Sequence, residues 1–473
     1  MQIISIPFAI ASIISVFLFY LFRPKHQIGF LVILSYCFIV SYNLNLLVYV
    51  LVFSLINYIF GLKIPSSKNR IVLFRIGIGI NLVQLVLLKY ASFAVDPFFQ
   101  IFGSDIQVSR LSEIIIPLGI SFFTLQGIGY LVNIKMGWEV PERKLLNFML
   151  YIMFFPKFLS GPIERSNHFL PQLKAPKTLI ENQVILGLKI ALTGFFKKVV
   201  IANQLGIVVT SAYTNIDAIG GINFWLVILI QPLHLYFDFS GYTDIAIGLS
   251  KAYGIDILPN FNKPFLSENV TTLWKRFHMS LSFWFNDYVF KQLSFKYRKW
   301  GKNAAVFSVF ITFTLFGIWH GAGWNFMILG FVQALAINYE FFTKKTRVKL
   351  FMKIQDNYRI WIGRVSTYLF FGISLIFFFS PDIDTAFRFF TRIANTDIPF
   401  QQQLFTAPVL IAVFFSVIFL LVEIINNDFK FCYAKIIKIW SDYKFLRILV
   451  YYAAIVLIIS QLRGNSSFIY QMF

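Results

Sequence analysis

The sequence predicts an all-α, polytopic membrane protein, and three observations predict it. Of 473 residues, 58% are hydrophobic and only 13% are charged, about half the charged share of an ordinary soluble domain. Apolar runs approaching the roughly twenty residues of a bilayer crossing recur along the whole chain. Lys and Arg outnumber Asp and Glu by 42 to 21, and the excess gathers in the segments between those runs. A water-soluble globule is excluded, since 59 Phe residues need lipid as part of their solvent. Nucleic acid is excluded as a partner, because no polar stretch is long enough to present a water-facing basic patch. Cys37 and Cys432 offer neither a metal spacing nor a disulfide framework.

The first basic residue is Arg23, so the opening apolar run lacks the basic start of a cleaved signal and is expected to be a retained span. Candidate spans cover about 4–22, 27–42, 45–62, 71–94, 113–134, 145–160, 183–206, 222–249, 303–318, 322–342, 361–380, 406–426 and 446–462. Several are short or interrupted by polar residues. The expectation is about eleven full crossings plus one or two re-entrant pieces, within one integral-membrane domain over 1–473. Its motif-bearing core covers about 113–342, and extra spans fill 343–473. Basic loops (Arg23 and Lys25; Lys63, Lys68 and Arg70; Lys135, Arg143 and Lys144) alternate with a neutral turn at Asn43 and the loop bearing Asp96 and Asp105. The positive-inside rule then sets the N-terminus outside the cytoplasm and the basic block from Lys263 to Lys302 inside it.

From Phe154 to Pro171 the chain stops looking like lipid-facing helix. It carries three prolines and a glycine, with Glu164 beside Arg165. Irregular backbone at membrane depth must be buried in protein or line a cavity; the alternative is an ordinary cytoplasmic loop. Asp238 and Asp244 interrupt another apolar run, with Ser240, Tyr242 and Thr243 between them. Carboxylates there must find donors or face a cavity. No further ligands stand at metal-site spacing, so ordering a helix break or orienting a histidine suits them better than holding an ion.

Of five histidines, His26 belongs to a basic loop, while His168 and His234 read as hydrogen-bonded packing residues or, being polar within apolar sequence, as functional candidates. His320 sits where two spans form a tight hairpin, flanked by Trp319, Gly321, Gly323 and Trp324, with Asn325 following. Glycines permit close approach and tryptophans exclude water. A desolvated imidazole resists protonation and can serve as a general base; the competing reading is a solvated His in an interfacial aromatic belt. An amphipathic helix over 272–290 places Trp274, Phe277, His278, Leu281, Phe285 and Tyr288 on one face, which reads as a packed, structural His278.

Five segments then stand in order: FFPKFLSGPIER (154–165), YFDFSGYTDIAIG (236–248), NFNKPFL (260–266), LWKRFHMSLSFWFNDYVF (273–290) and LFGIWHGAGWNF (315–326). Together they resemble the membrane-bound O-acyltransferase family, in its bacterial branch of alginate O-acetylation proteins. The chain departs from the family pattern at Phe277, where Trp is usual. It also has Lys291-Gln292-Leu293 in place of a Gly-Gly-Asn-Arg run. The resemblance implies that His320 and His278 are the catalytic pair. Trp319, Asn325, Trp274, Asp238, Tyr242, Glu164 and Arg165 would bind substrate or support them. It also implies a central funnel that brings a cytoplasmic acyl thioester near an extracytoplasmic hydroxyl of a polysaccharide or partner protein. No bound cofactor is expected. Acetyl-CoA or an acyl carrier protein would be the donor, drawn to Arg276 and Lys296 at a basic mouth, where anionic lipid headgroups are the alternative ligand. The expected location is the inner (cytoplasmic) membrane. D-alanyl transfer to teichoic acid is the rival activity within the family. A glycan-precursor transporter or flippase is the rival from another class.

Overall fold

The structure, a computed structural model, describes residues 4–102, 107–115, 118–217, 219–393, 401 and 405–462. Among these residues it is helical, with a single isolated bridge between Phe261 and Phe277 and no strand. Eight helices among the described residues have the length and hydropathy of a membrane crossing: Leu44–Ser66, Arg70–Lys89, Ile222–Ala252, Lys302–His320, Trp324–Phe351, Asp356–Phe379, Ala407–Asp428 and Lys444–Gln461. Two shorter apolar helices, Ile6–Leu21 and Pro24–Val40, precede them. Two of the other expected spans take other forms. The 145–160 run is a nine-residue helix, Leu145–Met153, followed by irregular chain. The 183–206 run is helix Glu181–Phe196, a π-turn over Lys197–Ala202, and helix Asn203–Thr214.

The chain divides into two compact units. One comprises residues up to Leu192 together with Thr243–Pro259. There the Ile120–Met136 helix packs on Leu44–Ser66 and Arg70–Lys89. Polar side chains fasten these helices: Asn81 donates to Asn57 at 2.9 Å, and Gln84 donates to Thr124 at 2.7 Å. The 154–164 segment is irregular and buried throughout, which is how such backbone survives at membrane depth. Its Lys157 is fully buried, donating to the Gln126 side chain and the Tyr151 carbonyl.

The other unit comprises Thr193–Tyr242 and Asn260–Ile469. Its dominant motif is the hairpin of Lys302–His320 and Trp324–Phe351, joined by three residues. A Cβ at Gly317 would lie 2.2 Å from the Phe326 carbonyl oxygen, and one at Gly330 would lie 2.1 Å from that of Phe313. Only hydrogens at these two positions allow the backbones to touch, the small-residue packing that membrane helices use in place of a hydrophobic drive. Asp356–Phe379, which contains a short break near Leu375, and the amphipathic Ile383–Ile393 helix pack alongside.

Candidate active site

His320 is the last residue of its helix, and the chain turns away through Gly321, Ala322 and Gly323. The turn is tight because a Cβ at Gly321 would fall 2.1 Å from the Phe326 ring. His320 is 6% exposed, in a shell of rings. Trp319 lies 5.0 Å away between centroids, Phe316 5.1 Å and Phe378 5.6 Å. The imidazole thus sits in a desolvated aromatic pocket, as the hairpin reading expects. Trp324, beyond the turn, is 59% exposed, so it is not a buried wall residue as Trp319 is.

His278 is reached by a different route from the one its periodicity suggests. The expected 272–290 helix is broken. Val270–Arg276 ends, Phe277 is extended, His278 adopts φ 48° and ψ 49°, and a new helix runs Met279–Phe285 before a π-turn over Asn286–Phe290. Left-handed backbone costs a β-carbon-bearing residue roughly 1–2 kcal/mol and needs outside support. Residues 260–262 supply it. The Asn262 amide donates to the Arg276 carbonyl at 2.9 Å, and the Met279 amide to the Asn260 carbonyl at 2.9 Å. The buried Asn260 side chain then accepts from the amide and hydroxyl of Ser280, at 3.2 and 2.6 Å.

The kink delivers His278, 0% exposed, to His320: their ring centroids are 6.4 Å apart. Phe239 stands edge-on to His278 at 4.5 Å and Trp319 at 5.8 Å. Burial foremost, then the charge of a protonated His320 nearby, hold the His278 imidazole well below the ordinary histidine range. Two imidazoles, side by side in an apolar shell, are suited to taking and returning a proton.

Trp274 is a second ring out. Its indole donates to Gln333 at 3.1 Å, and its face is edged by Phe316 at 4.8 Å. Gln333, 1% exposed within a long apolar helix, passes the bond on to Ser374 at 2.8 Å. Asn325, also 1% exposed, donates to the carbonyls of Phe377 and Ser380 at 3.1 and 2.8 Å. Asp238 is paired with Lys198, both side chains almost wholly buried, one residue before the Phe239 that packs on His278. Tyr242 is buried on the same helix. Arg276 is half-buried, donating to the Leu266 carbonyl at 3.3 Å, while Lys296 is exposed along the Tyr297 ring. Glu164 and Arg165 belong to the first unit. There the buried Glu164 accepts from the Leu258 amide and lies 2.9 Å from His168 Nδ1.

Asn260, Lys198, Gln333 and Phe378 escaped the sequence reading. A buried asparagine, lysine or glutamine in an apolar setting was the available signal for the first three. Phe378 had none, being one Phe among many. His234, the other intramembrane histidine, donates from Nδ1 to the Ala202 carbonyl at 2.9 Å and is accounted for by packing.

These features define a class: a multi-pass membrane protein that buries two histidines together, one on a helical hairpin and one on a kinked connection, behind aromatic walls. Residues 142–381, about half the chain, match the membrane-bound O-acyltransferase family. The chain belongs to that family. It is 32% identical over 322 residues to a probable alginate O-acetylase of Pseudomonas aeruginosa, covering 66% of this chain and 60% of that one. It is 29% identical over 390 residues to a peptidoglycan O-acetyltransferase of Helicobacter pylori, covering 76% and 72%. It is 36% identical over 238 residues to a teichoic acid D-alanyltransferase of Bacillus subtilis, covering 48% and 60%. The chain spans less than two thirds of the length of the alginate O-acetylases it matches.

Proposed function

We propose that the chain is an O-acyltransferase that moves an acetyl group from a cytoplasmic thioester to a hydroxyl of an extracytoplasmic polysaccharide or partner protein. The observation that carries this reading is the approach of His278 to His320, 6.4 Å between rings in a buried aromatic pocket. In the reaction, His320 takes the proton from the acceptor hydroxyl as its oxygen bonds to the thioester carbonyl carbon. The carbon–sulfur bond then breaks, and the departing thiolate receives that proton from the imidazolium. A positioned base contributes roughly 10²–10⁴-fold. His278 stands close enough to influence the protonation of His320 and the placement of the acyl group.

Acetyl is favoured over D-alanyl by reach: the match to the peptidoglycan O-acetyltransferase covers 76% of the chain, against 48% for the D-alanyltransferase. The higher identity to the latter, 36%, is what supports the second reading. Arg276, Lys275 and the exposed Lys296, Arg298 and Lys299 supply the field for a phosphorylated donor such as acetyl-CoA. The loop charges support a cytoplasmic-membrane protein with that basic segment inside and the N-terminus outside.

The deciding variant is His320→Gln, which keeps a hydrogen-bonding side chain but cannot act as a base near neutral pH. Loss of acetyl from cell-surface glycans, measured by mass, with normal expression and membrane insertion, is the expected result. Near-normal single-turnover transfer by the purified variant would refute the base assignment. A transporter would keep moving its substrate in this variant.

A further inference from the structure

Asn325 and Phe378 come from different helices, and the structure joins them in one device. Asn325 lies just beyond the glycine turn that follows His320 and is 1% exposed. Its amide nitrogen makes two hydrogen bonds, to the carbonyls of Phe377 at 3.1 Å and Ser380 at 2.8 Å. Those carbonyls bracket Phe378, where the Ile376–Phe379 helical turn ends and the chain becomes extended at Ser380. Phe378 is 2% exposed; its ring stands edge-on to His320 at 5.6 Å and to Phe326 at 6.0 Å. The turn after His320 and the wall facing His320 are therefore pinned together by one side chain. Without the amide, the 377–380 backbone would lose two bonds at the end of a helix, where carbonyls have no partners further along.

We propose that Asn325 is a positioning residue which keeps Phe378 closed over His320, and that this closure decides whether an activated acyl group passes to the acceptor hydroxyl or is lost to water. The inference rests on the acyltransferase reading above. Any base able to deprotonate an acceptor hydroxyl can also activate water. A thioester held beside His320 is then open to hydrolysis: water oxygen bonds to the carbonyl carbon, the carbon–sulfur bond breaks, and the thiolate takes up the proton passed through the imidazole. Excluding water from the imidazole is what suppresses that route, and Phe378 is the ring that does so from the side Asn325 fastens.

The experiment uses the full chain in lipid nanodiscs with acetyl-CoA as the probe and no acceptor, reading free thiol. Expected are slow release by the wild type and at least fivefold faster release by Asn325→Ala and by Phe378→Ala. The gain should vanish in Asn325→Ala combined with His320→Gln, because the leak runs through that imidazole. A merely structural Asn325 would lower glycan acetylation in cells without raising thiol release. Phe378→Leu, which leaves the asparagine bonds in place, keeps the idea decidable if Asn325→Ala cannot be recovered folded: it too must leak. Unchanged or lower release in the recovered variants, with wild-type cells still acetylating their glycans, overturns the inference alone. Absence of acetylation by the wild type in cells overturns the acyltransferase reading itself.

Discussion

Replacing Asp238 by Asn tests how much of the second unit depends on a buried ion pair. The Asp238 and Lys198 side chains are 1% and 2% exposed, and they contact each other directly. Removing one partner strands the other charge without its counter-ion, a loss of about 3–5 kcal/mol for buried pairs. Unfolding entropy of about 2.1 cal/mol/K per residue, taken over 473 residues, gives about 1 kcal/mol/K. The melting midpoint in detergent should therefore fall by about 3–5 °C for Asp238→Asn when the chain melts as one unit. Combining Asp238→Leu with Lys198→Met removes both charges and fills similar volume, so its midpoint should return to within about 1 °C of wild type or exceed it. The assay is fluorescence-monitored unfolding of purified protein across the three variants. A double variant as unstable as Asp238→Asn would show that the packing of this helix, not the stranded charge, sets the loss.

The remaining expectations concern the basic segment. Changing Arg276 and Lys296 together to Gln should raise the apparent KM for acetyl-CoA, by a factor that shrinks as salt is added, since charges are screened over about 8–10 Å at physiological ionic strength; a salt-independent fall in kcat at constant KM contradicts the steering role. With the two exposed native cysteines, Cys37 and Cys432, first replaced, an impermeant thiol reagent applied to intact cells should mark a cysteine at Asn43 and leave one at Ser294 untouched. Labelling at Ser294 reverses the proposed orientation.

The hairpin that carries His320 was legible in the sequence because its instructions are local. Two apolar runs are separated by glycines whose missing side chains the turn uses. The irregular 154–164 segment was legible for the same reason, written in prolines and glycine. The His278 connection was not. Trp274, Phe277, His278 and Leu281 keep helical spacing straight through the break, so periodicity alone continues the helix. What stops it is pairing with residues 260–262, a tertiary partner that no local window contains. The Lys198–Asp238 pair was half legible: the carboxylate demanded a donor, but Lys198 reads as an ordinary charge in a Lys-Lys pair and lies 40 residues away in sequence. The aromatic wall at Phe371 and Phe378 was invisible for a further reason. It comes from the chain beyond 343, where the pattern announces only more spans, yet Phe371 packs on Phe277 at 5.2 Å and Phe378 on His320.

The left-handed backbone at His278 bears on how deletion experiments there are read. Alanine at this position removes the imidazole but keeps the β-carbon that makes the conformation costly, and it discards the Phe239 and Trp319 contacts that help hold it. Two effects are then superimposed, lost chemistry and a relaxed kink. Glycine enters this region of backbone space without penalty and asparagine with little. A glycine allele, with imidazole supplied from solution, therefore separates the side chain from the bend that carries it.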